Sequence, residues 1–487
     1  MLQRAGRTGE SSLMNNLNKP PYPSPKRSWY MVVLLTLAYF ISYIDRTVIG
    51  LLVEPMKADL GLTDGQMGLL LGLAFGIFYA TMGLPLGWLA DRTRRVTIVS
   101  CAIALWSAAT AFCGLASNYL QLFLLRMSVG VGEAALSPCT MSMIADSFPK
   151  EKRGKAIAVY SMALSLGTAT AYYAIGALLA ALRGVEVLNW PLVGAIRPWQ
   201  AVFIIVGLPG LLLALVMLTV REPTRRDLKL DDVRSMRSVP GLRYRLGPSA
   251  PWLMFRHVFT HWKTYLTFVL PFCLMTTVAY THFWMPAVFS RTWGMDTPEF
   301  AQIKAVVTLV CAPATVFAAG ALSDYLVRRG RDNAPLLIAV AGAFVFAPTG
   351  FLIALMPGTF PAFAVMGVSL IGIATTTSTG VTALLMITPA QFRGQITAVY
   401  YMAISITGLL LGPSTVGWLS DWFNGGTGVA GMDALVEWVL PGATGAKSLA
   451  LAFAAVPLLY GSIVLALAPV TLRCFRRELV RVQSQAA

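Results

Sequence analysis

Long apolar runs alternate with short polar segments along most of this 487-residue chain. A helix rises 1.5 Å per residue, so about 20 apolar residues are enough to cross the hydrocarbon core of a bilayer. Twelve runs meet that length, at about 29–55, 66–90, 96–116, 119–145, 155–182, 199–220, 262–288, 298–326, 335–356, 360–388, 393–420 and 446–472. The pattern predicts an all-α polytopic membrane protein with twelve transmembrane helices. A longer polar stretch at 221–261 divides them into two sets of six, so two pseudo-symmetric six-helix bundles are expected, over 29–220 and 262–472.

Charge orients the runs. The segment 1–28 is basic and proline-rich, lacks the apolar stretch of a signal peptide, and reads as a disordered cytoplasmic tail. Arg92, Arg94 and Arg95, Lys150 to Arg153, the linker 221–261, Arg328 to Arg331 and the tail 473–487 are also basic, whereas the alternate loops are short or nearly balanced. Lysine and arginine collect on the cytoplasmic side, which places both termini and the linker there, as expected of a multi-pass inner (plasma) membrane protein.

Composition agrees. Hydrophobic residues make up 56% and charged residues 12% of the chain, against about 25% charged in soluble domains. The net charge of +16 is accounted for by the cytoplasmic loops, so nucleic acid is not an expected partner. Neither the six cysteines nor the three histidines have metal-ligand spacing. No phosphate-binding glycine loop or nucleophile–base pair stands out, so neither an enzyme nor a cofactor is expected.

Ionisable residues inside spans cost roughly 2.5–3.5 kcal/mol on insertion scales and usually mark pathways. Asp45 and Arg46 fall in the first span, and Arg126 and Glu133 in the fourth. Glu133 lies near mid-span, with Arg126 roughly 9 Å outward of the span centre on the same helix face. If these spans are neighbours, Asp45 falls between the two in depth, and the two carboxylates would share the Arg126 guanidinium. Burial favours a protonated carboxyl and a nearby arginine favours the carboxylate. The trio therefore reads as a proton-coupling network, or as a static ion pair that locks the helices. Arg46 either faces the cavity and attracts an anionic group or snorkels outward. Arg126, shared between the carboxylates and the substrate, and Tyr43, Thr377 and His282 are further candidate substrate contacts.

Two motifs recur across the halves. Gly87-Trp88-Leu89-Ala90-Asp91 ends the second run and Gly320-Ala321-Leu322-Ser323-Asp324 ends the eighth, each followed by basic residues. Arg153-Gly154 opens the fifth run and Arg393-Gly394 the eleventh. Carboxylates at helix ends can cap neighbouring helices, and arginines there can pair with acids such as Asp146. Asp91, Arg92, Arg95, Asp146, Arg153, Asp324 and Arg393 are therefore candidate gating residues. Repeated six-helix halves imply a substrate site between them, near the midplane.

The segment from Gly87 to Arg95, with Arg94 where glycine is usual, resembles the loop signature of the major facilitator superfamily, as does Asp146 with Arg153-Gly154-Lys155-Ala156. Tyr43-Ile44-Asp45-Arg46 and the segment from Arg126 to Pro138 resemble the bacterial branch of the spinster group of lysolipid and sphingolipid-phosphate transporters. The resemblance implies the major facilitator fold, coupling through Asp45, Arg126 and Glu133, and an amphipathic lipid-like substrate. The expectation is a proton-coupled transporter of a lipid-like or organic anion, working by alternating access as a monomer with protons and the bilayer as partners. A multidrug efflux antiporter is the alternative, and a non-transporting sensor a third.

Overall fold

The structure is a computed structural model describing residues 22–190, 194–225, 250–389, 392–425 and 448–486. Among these residues, twelve helices are long and apolar enough to cross a membrane. In chain order, spans 1–6 are Pro25–Leu51, Asp64–Gly83, Arg95–Cys113, Tyr119–Ser147, Glu151–Ala181 and Pro198–Met217. Spans 7–12 are Trp262–Trp293, Thr297–Arg328, Ala334–Leu355, Thr359–Ile387, Gln395–Asn424 and Ser448–Val482. Each matches one run read from the sequence, and the fold is the expected all-helical bundle.

Outside the runs read from the sequence, the elements differ in four places. The first helix begins at Pro25, where proline suits a first turn because its missing N–H has no partner there anyway. The linker's last part is a helix, Ala250–Thr260, and the final helix runs on to Ala486 through the basic segment taken as a tail. A short hairpin before span 6 pairs Leu188 with Ile196 and Trp190 with Gly194. Residues 1–21, and 226–249 of the linker, lie outside the described residues.

Two spans break where the chemistry sits. Span 4 changes from Tyr119–Ala134 to Leu136–Ser147, immediately after Glu133. Pro138 explains the break, because its ring clashes with the carbonyl four residues earlier, that of Ala134. Span 7 passes through a tight turn at Thr281–Trp284 before Met285–Trp293. Pro286 acts on His282 in the same way.

Hydrophobic packing is unequal at the two ends of the bundle. One buried cluster mixes residues of both halves, including Leu52, Met67 and Ile175 from the first with Phe289, Phe300 and Phe453 from the second. It lies at the end away from the termini. Toward the termini, Met31, Val99 and Met143 pack in a cluster drawn from the first half apart from Leu409 near mid-span, and Phe268, Leu384 and Phe475 in a separate cluster of the second. The two halves thus meet at one end and part at the other. Glycine makes the meeting close: a Cβ on Gly68 or Gly72 of span 2 would strike the backbone of span 11 at Pro413 or Leu409. Small residues allow this backbone approach between membrane helices.

Candidate functional site

Between the halves lies a cavity with about 840 Å³ of empty space. The first half lines it with Tyr43, Arg46, Phe75, Arg126 and Tyr172, among others. The second half adds Tyr280, His282, Phe283, Lys304 and Thr308. Aromatic and aliphatic surface dominates, interrupted by a few cations.

The charged residues expected in spans 1 and 4 converge on this wall. Ser42 and Arg46 stand one turn apart on span 1, so both reach the same point on span 4. Arg46 Nε donates to Glu133 Oε2 at 2.5 Å, and Ser42 Oγ donates to the same oxygen at 2.9 Å. Glu133 Oε1 has no partner among the described residues. The Arg46 guanidinium also lies 4.4 Å from the Tyr79 ring centre and 4.8 Å from that of Phe75. Arg46 therefore turns inward instead of snorkelling.

This pairing corrects the expected sharing of Arg126 between two carboxylates. Glu133 is held by Arg46. Arg126 Nη1 donates instead to the backbone carbonyl of Asp45, at 3.3 Å. Arg126 Nε and both carboxylate oxygens of Asp45 have no hydrogen-bond partner among the described residues. Asp45 is fully buried and Arg126 is 2% exposed. The Trp106 indole lies beside Asp45. The rotation of about 100° between neighbouring residues separates the roles, sending Arg46 to the cavity face and Asp45 back toward span 3.

Of the other candidate contacts, Tyr43 and His282 line the cavity and Thr377 does not. Thr377 Oγ1 donates to the Ile373 carbonyl of its own helix at 2.9 Å, a common fate of helical threonines. The His282 ring stands near Phe346 and Phe453, and its Nε2 has no partner among the described residues.

The residues expected to gate lie at the end where the halves part. Arg95, buried, donates to Asp146, to Glu222 at 2.8 Å and to the Pro223 carbonyl at 2.8 Å. Arg153 donates to the carbonyls of Phe148 and Ala145, closing the end of span 4. Arg393 donates to the Thr388 carbonyl at the end of span 10. Both arginines therefore reach back five residues, and the recurrence in sequence is a recurrence of contact. Arg92 stacks on Trp88 in solvent. Asp324 is exposed, and the Asp91 side chain lies outside the described residues. The described contacts of these groups stay within one half.

Sequence reasoning missed two features. The first is a latch between the halves at the opposite end. Asp64, opening span 2, accepts from Arg291 Nη1 and Nη2 at 2.7 and 2.8 Å, from Lys57 at 2.6 Å and from Ser420 at 2.6 Å. Arg291 also reaches Glu54 at 2.8 Å. Asp421 of span 11 accepts from the backbone N–H groups of Asp64 and Gly65, capping the start of span 2 across the interface. The second feature is Lys304, a buried lysine inside span 8 whose position in an apolar run was its only signal.

Comparison with known proteins agrees with this architecture. A bacterial homolog of the human lysosomal transporter Spinster, crystallised in an inward-facing, unoccupied conformation, superimposes with a TM-score of 0.75 at 28% identity, covering 94% of this chain and 99% of that one. The probable galactarate/D-glucarate transporter of Bacillus subtilis is 28% identical over 322 residues, 62% of this chain and 66% of the relative. An efflux pump of Mycolicibacterium smegmatis is 28% identical over 312 residues, 63% of this chain and 64% of the pump. These alignments thus span about two thirds of the relatives' own length. The sequence profile described as Major Facilitator Superfamily matches residues 35–413, and this chain belongs to that superfamily.

Proposed function

We propose that this chain is a proton-coupled secondary transporter that moves an amphipathic lipid-like or organic anion by alternating access. The observation that carries the reading is the wall formed by spans 1 and 4. There one buried acid is paired to a cavity arginine, and a second buried acid stands beside the Trp106 indole with no ion pair to the nearby Arg126. A buried carboxyl without an ion-pair partner gains by taking up a proton, and a paired one gains by keeping its charge. Changing water access can move a proton between these conditions. Protonating Glu133 frees the Arg46 fork, which suits a carboxylate or phosphate bidentately.

The parted end carries both termini. With the termini cytoplasmic, as the basic loops argue, the conformation is inward-facing and the Asp64–Arg291 latch is the closed outer gate. Arg95–Asp146 and the arginines at 153 and 393, with Asp91, Arg92 and Asp324, serve the inner gate when that end closes. The domain limits 29–220 and 262–472 serve as the two rocking bodies.

Anion transport fits the cavity cations and the sugar-acid transporters among the relatives. The lysolipid or sphingolipid-phosphate class follows from the spinster resemblance and the aromatic lining. That lining, and the similarity to an efflux pump, also favour the second reading, a proton-coupled multidrug antiporter.

The test is flux in proteoliposomes carrying the full chain, with labelled lysophosphatidate, galactarate and a lipophilic cation, with and without an imposed pH gradient. Gradient-dependent movement of an anion is expected. Asp45→Asn should insert and fold normally yet lose the response to the gradient. Normal gradient-driven flux in that variant removes the coupling role of Asp45. Movement of the cation alone selects the antiporter.

A further inference from the structure

Lys304 has no part in the coupling network, yet it is the cation most at odds with its surroundings. It is 3% exposed. Among the described residues, its ammonium donates to the sulfurs of Met285 and Met366, at 3.4 and 3.3 Å, with the Tyr172 ring centre 5.9 Å away. Thioethers are weak acceptors, and an ammonium carries three donors. No carboxylate pairs with it among the described residues. If the site needed only an apolar filler among two methionines and a tyrosine, a third methionine would serve at no desolvation cost.

Two further polar atoms of the second half share its situation. Thr308 stands one turn along span 8 on the same helix face and lines the same cavity. Its Oγ1 has no partner among the described residues. His282 Nε2 is likewise buried without a partner, and the ring lies within electrostatic reach of Lys304. Thus a lysine held by two weak sulfur acceptors and two polar atoms without a partner among the described residues line the cavity from the second half.

We propose that Lys304, Thr308 and His282 form an anion-binding subsite that takes an anionic oxygen group of the substrate, either a carboxylate or a phosphate. The inference rests on the anion-transport reading and deepens it. The subsite belongs to spans 7 and 8, whereas Arg46 and Arg126 belong to spans 1 and 4. An anionic substrate held by both sets ties the two halves together and supplies Lys304 with a counter-charge.

The test uses the full-length protein in nanodiscs and reads both binding and thermal unfolding. The probes are lysophosphatidate, its uncharged counterpart monoacylglycerol, and galactarate, so that a lipid headgroup and a free organic acid are distinguished. The variants are Lys304→Met, Lys304→Arg and, as a control on the other half, Arg126→Lys. Lys304→Met is expected to raise the unfolding temperature of the unloaded protein. It should also weaken the anion that wild type binds by at least about tenfold, the scale of a lost charged hydrogen bond, with monoacylglycerol unaffected. Lys304→Arg should retain most of the affinity. A Lys304→Met protein that is less stable when unloaded, and weaker toward charged and uncharged probes alike, makes Lys304 a structural residue and overturns the proposal. If Arg126→Lys weakens the anion and Lys304→Met does not, the subsite alone falls. If wild type binds neither anion, the anion-transport reading falls and takes the subsite with it.

Discussion

Glu133 illustrates how much one side chain depends on its partner. Its carboxylate is fully buried, and the Arg46 side chain is 12% exposed. Removing one member of a buried pair leaves the other uncompensated, which costs about 3–5 kcal/mol. Arg46→Ala should therefore lower the unfolding midpoint markedly, and adding Glu133→Gln to it should recover part of the loss. A double variant no more stable than Arg46→Ala alone indicates that the pair is not coupled. The sequence made these residues visible, because charges within apolar runs are few. It did not reveal which arginine meets which acid. Adjacent residues on a helix differ by about 100° in direction, and span limits known to a few residues do not fix relative depth to within a hydrogen bond. Lys304 escaped for a related reason. A lone lysine in a long apolar run looks the same whether its stem reaches outward or its head is trapped between two methionines.

At the scale of elements, the twelve spans and the recurrence of Arg153 and Arg393 were legible because length, loop charge and motif recurrence record them directly, whereas the capping of backbone carbonyls by these arginines, in place of acidic partners, was not. The latch at Asp64 was not, because Asp64, Arg291 and Asp421 sit at helix ends, where charges are ordinary. Only packing spans 2, 7 and 11 together distinguishes a bridge from a solvated rim. Arg291→Ala removes both hydrogen bonds to Asp64 and the one to Glu54. Spin-label distances across this end should then show a larger population open at this end than in wild type. An unchanged distribution makes the cluster a passive contact. The helix Ala250–Thr260 provides a second test. Burial, together with the neighbouring His261 and Arg481, lowers the pKa of His257 to about 4. The folded helix therefore favours the neutral ring. That contribution is fully present above the unfolded value of about 6.5 and is lost as pH falls toward 4. The protection factors of the amides in residues 254–260, with the intrinsic pH dependence of exchange divided out, should fall over that window, and His257→Phe should flatten the response. A pH-independent protection factor in wild type contradicts the assignment.

For the whole molecule, the apolar cluster shared by both halves sets a thermal condition on the alternating-access cycle proposed above. To open at that end, the protein must hydrate Leu52, Phe289, Phe300 and their neighbours, which are buried here. Exposing apolar surface to water raises heat capacity, and the apolar attraction weakens on cooling. The equilibrium between the two access states should therefore curve with temperature, and chilling should favour the state that exposes this cluster. Distance distributions recorded from near freezing to about 40 °C would display that curvature, and a straight van't Hoff line would assign the closure to the ionic latch alone. The same seam that seals the molecule thus makes its resting state a function of the temperature at which the membrane is kept.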